Sequence, residues 1–90
     1  MIRRKSSSSI SLSKEGMKKV DIARIKKGWK KTQKEWYESA FVSKLTLKRF
    51  ISGIAISPDF FRSLSKVVRI EEWHLLVDWH SSLKSIFYSK

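Results

Sequence analysis

Residues 32–53, TQKEWYESAFVSKLTLKRFISG, contain two signals for the start of a helix within one short stretch, and this pattern decides the predicted fold. Thr32 precedes Glu35 by three residues, which is the spacing of a capping box at a helix N-terminus. Ser43 is a good N-cap for a following helix that would end at Gly53, because glycine readily adopts the left-handed conformation that terminates a helix. The stretch therefore predicts two short helices joined by a short turn.

The helix predicted after Ser43, over residues 44–52, has one apolar and one polar side. Leu47, Phe50 and Ile51 recur at helical spacing and would face a core. Two helices joined by about four residues cross steeply, and a second helix of this kind fits the major groove of B-DNA. The side chains expected on its outer side are Lys44, Leu45, Lys48 and Arg49.

Further helix signals lie on both sides of this stretch. Ser13 is a good N-cap, so a first helix is predicted from there to Gly28, which can supply the left-handed residue at its end. Ser57 followed by Pro58 is typical of a helix start and predicts a fourth helix. A fifth helix is predicted from Glu71.

No segment alternates apolar and polar residues as a strand would, so the predicted class is all-α, a compact bundle of four to five short helices. Ninety residues form one small domain. We predict a flexible basic arm over 1–12, a helical domain over 13–80 and a C-terminal tail over 81–90. The aromatic residues at core spacing are Trp36, Phe50, Phe60, Phe61 and Trp73.

Positive charge is concentrated in the first third of the chain. The formal net charge is +12, and residues 1–34 hold 12 basic and 2 acidic residues, a net +10. Such an imbalance favours a polyanionic partner. No run of residues approaches the length of a membrane span, and the N-terminus lacks the apolar core of a secretory signal, so a cytoplasmic protein without a membrane partner is expected.

Catalytic and metal chemistry receive little support from the sequence. The chain has no Cys, and His74 and His80 do not share a helix face well, so no metal site is expected. No Gly-x-Ser-x-Gly elbow is present, and three glycines leave no phosphate-cradling loop. We expect no enzymatic activity and no cofactor.

Five short motifs follow one another along residues 20–78: Arg24-x-x-x-Gly28, Thr32-Gln33-x-x-Trp36, Val42-Ser43-x-x-Thr46-Leu47-x-x-Phe50-x-x-Gly53, Pro58-x-Phe60-Phe61-x-x-Leu64 and Ile70-Glu71-Glu72-Trp73-x-x-Leu76. In this order and spacing they resemble the lambda-repressor-like (Cro/C1-type, XRE-like) helix-turn-helix DNA-binding domain. The resemblance covers about two thirds of the chain.

Three positions depart from the pattern of that family. Tyr37 replaces a small residue that lets the third helix pack closely on the second. Phe41 stands where the turn often has glycine. Ile51 stands where many members have a glutamate that pairs with the arginine of the first helix, so Arg24 needs another partner.

The resemblance implies a transcriptional regulator, a repressor, that binds double-stranded DNA at the nucleoid and reads the major groove with residues 44–52. It implies base or backbone contacts by the third helix and phosphate contacts by the start of the second. A basic arm could enter the minor groove. The residues expected to bind DNA are Gln33, Ser43, Lys44, Leu45, Thr46, Lys48 and Arg49, with Lys30, Lys31 and Lys34 on phosphates and Arg3 and Arg4 in the arm.

Other function classes stay open at this point. Tyr37, Phe41 and the apolar loop over 54–56 would suit a protein-interaction adaptor on the same scaffold. The charge would suit a nucleoprotein or RNA-binding accessory factor of a mobile element equally well. Domains of this kind often bind DNA as homodimers, for which residues 79–90 are the candidate surface, and a protein partner is also open.

Overall fold

The computed structural model describes residues 9–79, and this part of the chain is mostly helical. The predicted all-α class is confirmed, since no strand forms within the described residues. Between residues 14 and 67 the α-helices are α1 (Lys14–Lys26), α2 (Lys34–Ser39), α3 (Lys44–Ile51) and α4 (Pro58–Val67), and a 3-10 turn follows at Trp73–Leu76.

Local capping signals explain where most of these helices begin. The Ser13 side chain accepts a hydrogen bond from the Gly16 amide (2.9 Å), and the Ser43 side chain accepts one from the Thr46 amide (3.1 Å). Both predicted N-caps are therefore confirmed. The predicted capping box at Thr32 is wrong, because α2 begins two residues later and Gln33 occupies its N-cap position.

The four α-helices end in the same way, with a residue of positive φ just beyond the helix. In α3, the Gly53 amide bonds to the Phe50 carbonyl (3.2 Å) and the Ile54 amide to the Arg49 carbonyl (2.9 Å), which is the Schellman pattern. The left-handed positions after α1 and α3 are occupied by Gly28 and Gly53, as predicted. The corresponding positions after α2 and α4 carry larger side chains, Phe41 (φ 59°) and Arg69 (φ 65°).

Residues 9–12 correct the predicted flexible arm over 1–12. Ile10 pairs with Ile56 through two backbone hydrogen bonds of 2.8 Å, and Leu12 forms an isolated antiparallel bridge with Val77. The side chains of Ile10 and Leu12 are buried in the core, because alternate residues of an extended segment face the same side. Arg3 and Arg4 lie outside the described residues, as do residues 80–90 with the predicted tail.

The predicted fifth helix from Glu71 is also corrected, because within residues 9–79 this segment forms a 3-10 turn over Trp73–Leu76 and no α-helix begins at Glu71. The chain becomes extended at Val77, where it bridges to Leu12, so the pairing ends the helical turn. Leu76 at the end of the turn is buried against α1, and its carbonyl accepts the Ser13 amide (2.9 Å). Gly16 lies directly beside this carbonyl.

A row of aromatic rings joins every helix after α1. Neighbouring ring centroids lie 5.1–6.2 Å apart from Trp29 through Trp36, Phe50 and Phe61 to Trp73. The Trp36–Phe50 and Phe50–Phe61 pairs meet edge to face, which is a favoured aromatic geometry. Phe60, which was predicted to lie in the core, is instead exposed.

We expect Gly16→Ala to destabilise the fold although alanine is the better helix former. A Cβ at this position would lie 2.9 Å from the Leu76 Cα and carbonyl carbon, closer than real Cβ atoms approach backbone. The overpacking should lower the free energy of unfolding by about 1–3 kcal/mol. Urea denaturation measures this loss, with Lys18→Ala on the exposed side of α1 as the control. A more stable Gly16→Ala variant would contradict the close approach.

We expect Phe41→Gly to stabilise the fold. The side chain of Phe41 is 91% exposed, so little packing is lost, and glycine adopts its left-handed conformation without the cost that a Cβ carries. The gain should be about 1 kcal/mol, which raises the Tm of a domain this small by about 4–8 °C. Phe41→Ala is the matched control, because it removes the ring and keeps the Cβ. Equal melting temperatures for the two variants would refute the explanation.

Candidate nucleic-acid interface

The two sides of α3 have opposite characters. Leu47 and Phe50 are fully buried, and Ile51 is partly buried against the same core. The other side presents exposed residues, among them Leu45 with 55% of its surface accessible. The prediction that four side chains of α3 face outward is confirmed by their exposure. They are Lys44, Leu45, Lys48 and Arg49.

Contacts of the core set the orientation of α3. The edge-to-face contacts of Phe50 with Trp36 of α2 and Phe61 of α4 hold the inner side of the helix. The indole N–H of Trp36 donates to the Leu64 carbonyl of α4 (3.0 Å), which ties α2 to α4 behind α3. Because both neighbours are held in this way, the outer side of α3 is displayed by a packed support.

The cationic side chains of α3 have no partner within the described part of the chain. Lys44, Lys48 and Arg49 form no ion pair and no side-chain hydrogen bond there. All three are exposed. Their positive charges are therefore available to an external anion.

At the start of α3, the hydroxyl groups of Ser43 and Thr46 make hydrogen bonds within the helix cap. The Ser43 Oγ accepts the Thr46 amide and lies 3.0 Å from the Thr46 Oγ1. Capping therefore accounts for Ser43, and the hydroxyl of Thr46 is engaged with it. Their predicted contacts with DNA stay predictions.

Both polar atoms of the Gln33 side chain form hydrogen bonds within the chain. Its side-chain oxygen accepts the Lys30 amide (3.0 Å), and its amide nitrogen donates to the Glu35 carboxylate (2.6 Å). The hydrogen bond from Gln33 lowers the pKa of Glu35, because it stabilises the charged form of the carboxylate. A phosphate contact by Gln33 would have to replace these bonds beside a negative charge.

The predicted phosphate-binding lysines lie in and after the α1–α2 connection. Lys30 and Lys31 are exposed and form no ion pair with any residue between 9 and 79. Lys34 begins α2 and lies 3.9 Å from the Glu38 carboxylate on the next turn, an exposed pair that contributes little stability. Lys30 and Lys31 are therefore the more available cations of the three.

Arg24 finds partners in place of the glutamate that Ile51 replaces. Its guanidinium donates to the Trp29 carbonyl (2.7 Å) and forms an ion pair with Asp21 (3.3 Å). Its side chain is only 12% exposed. Arg24 thus closes the end of α1 and is not part of the exposed cationic surface.

The left-handed backbone of Phe41, in the turn just before α3, was not predicted, although the family that the sequence resembles often has glycine at this position. Its left-handed backbone and highly exposed ring distinguish it from the other aromatic residues. The spacing of the turn contained the signal, since the Schellman pattern needs a left-handed residue at this point.

Residues 9–79 contain no group of three or more His, Cys, Asp or Glu that could hold a metal ion. None of the helices in this part has both the length and the apolar character needed to cross a bilayer. No protein-family model matches the chain, and no curated protein or solved structure does so either.

We expect Ser43→Ala and Ser43→Asp to have different effects on stability. Alanine removes the acceptor for the Thr46 amide and should cost about 1 kcal/mol, whereas aspartate is an equally good N-cap. Thermal unfolding of both variants measures the difference. If alanine is tolerated as well as aspartate, the cap is not what holds the start of α3.

Proposed function

We propose that this chain binds double-stranded DNA by placing α3 in the major groove, and that it acts in the cytoplasm, at the nucleoid, as a transcriptional regulator that represses by occluding a promoter. The observation that carries the proposal is the outer side of α3. It combines an exposed leucine with three cations that have no partner among residues 9–79, on a helix whose inner side packs on the core. The resemblance to lambda-repressor-like domains supports the same reading.

The dimensions and chemistry of α3 suit this role. An α-helix with its side chains is about 10–12 Å wide, and the major groove of B-DNA is about 12 Å wide. The guanidinium of Arg49 can donate two parallel hydrogen bonds to a guanine, and Leu45 can pack on a thymine methyl group. Lys44 lies at the N-terminal end of α3, the end that reaches base edges in such complexes.

Phosphate contacts would supply most of the affinity. Lys30 and Lys31 are exposed cations on the connection before α2, and the net charge of +12 attracts a polyanion at long range. Neutralised phosphates release counterions, so binding should weaken steeply with salt. The base contacts of α3 would then choose among sequences.

The proposal is tested by selecting binding sites from a pool of random duplexes and measuring variants on the selected site. Arg49→Ala should lose about 1–3 kcal/mol on this site and much less on a random duplex. Lys30→Ala should weaken binding to both duplexes by a similar factor and reduce the salt dependence. Lys66→Ala removes an exposed cation of α4 outside the proposed interface and is the matched control.

Each other result points to a different function. Salt-sensitive binding without an enriched sequence, or tighter binding to RNA, would refute sequence reading and favour an accessory role in a nucleoprotein. The absence of any nucleic-acid binding would leave the adaptor hypothesis, for which the exposed Phe41 and Ile54 are the specific observations. Equal losses for Arg49→Ala and Lys66→Ala would show that α3 is not the reading element.

A further inference from the structure

An open groove runs along the side of α1, where the chain turns back after α4. Its volume is about 620 Å³. Ile22 and Ala23 line it from α1, and Val68 and Ile70 line it from the end of α4. Ile22 is 55% exposed, and Ile25 lies one turn further along α1 with 61% of its surface exposed. The α1 groove, defined by Ile22, Ala23, Val68 and Ile70, therefore combines the exposed side chain of Ile22 with residues that lie in the core or pack against it.

Positive charge is also present at the α1 groove. Lys19 and Lys26 of α1, Lys27 just after it and Arg69 after α4 also line the α1 groove, and no acidic side chain of residues 9–79 does. None of the four forms an ion pair in the described part of the chain, although Lys27 lies 4.8 Å from the ring centre of Trp29. An occupant would meet both apolar side chains and positive charge.

We propose that the α1 groove docks an acidic amphipathic helix of a partner protein. The apolar face of such a helix would cover the exposed Ile22 and the partly buried Ile70, and its flanking carboxylates would lie near the lysines and Arg69. Complementary charge at the edge of an apolar contact favours one partner over others and speeds association. This surface is separate from α3, and the proposal does not depend on DNA binding.

The charges of the chain argue against the other occupants. Residues 1–8 contribute three cations and no acidic residue, and residues 80–90 contribute two lysines and none. Either segment would bring like charge to the cations of the groove. A second copy carries a net charge of +12. A DNA backbone would satisfy the cations but would leave the apolar side chains uncovered, whereas an acidic amphipathic helix satisfies both.

Arg69 makes a sharp test possible. It occupies the left-handed position after α4, where glycine carries no strain, so Arg69→Gly should stabilise the fold while it removes a cation from the groove. Loss of binding by this variant cannot then be attributed to unfolding. Ile22→Ser removes apolar surface from the groove at an exposed position, where stability should change little.

The probe is a fluorescent helical peptide with leucines at i, i+3, i+4 and i+7 and glutamates elsewhere. A scrambled peptide of the same composition is its control. We expect the full chain to bind the amphipathic peptide, with amide shifts in NMR spectra at Ile22, Ala23 and Ile70. Ile22→Ser and Arg69→Gly should each weaken binding by about tenfold. Lys66→Ala, which removes a cation away from the groove, should leave the affinity unchanged.

Several outcomes would overturn the proposal. Equal affinity for the scrambled peptide would reduce the interaction to charge alone, and amide shifts confined to α3 would place it elsewhere. Self-association that Ile22→Ser abolishes would assign the groove to a second copy. Perturbation of the groove amides by duplex DNA, with lower DNA affinity in Arg69→Gly, would assign it to the nucleic acid. Arg49→Ala tests DNA binding separately, so the two proposals can fail independently.

Discussion

The buried indole of Trp36 is the contact on which the arrangement of the helices depends. A buried N–H needs an acceptor, and the Leu64 carbonyl of α4 supplies one at 3.0 Å. The same ring contacts Trp29 before α2 and the edge of Phe50 in α3. One side chain thus sets the relation of α2 to both α3 and α4, and the outer side of α3 is displayed as a consequence.

Because the helices are short, the residues at their ends form a large part of the structure. Each of the helices α1–α4 is followed by a residue with a left-handed backbone. At two of these positions the residue is not glycine, so its Cβ makes the conformation strained. Phe41 lies beside the proposed DNA-reading helix, and Arg69 lines the α1 groove. Backbone strain of this kind often accompanies functional surfaces. Both residues carry a side chain that glycine could not provide, an exposed ring in one case and a cation in the other.

Positive charge has different surroundings on the two proposed surfaces. On α3, the cations lie beside a single exposed leucine, which suits the edges of bases and the phosphates around them. At the α1 groove, four cations line the same groove as Ile22, Ala23, Val68 and Ile70, which suits a protein helix with an apolar face and acidic flanks. A regulator that binds DNA with one surface and a partner with the other would use both. The excess of charge in residues 1–34 therefore need not serve a single ligand.

The sequence alone determined the features that depend on residues only a few positions apart in the chain. The caps Ser13 and Ser43, the terminating glycines and the two-sided character of α3 all follow from neighbouring residues, and so the outward cations of the site could be predicted. Tertiary structure decided the burial of Ile10 and Leu12, because their bridge partners lie far along the chain. It also limited the predicted fifth helix to one turn, and placed α1 beside residues 68–70 to form the groove. These features depend on backbone groups distant in sequence, and a local pattern contains no information about which distant groups will meet.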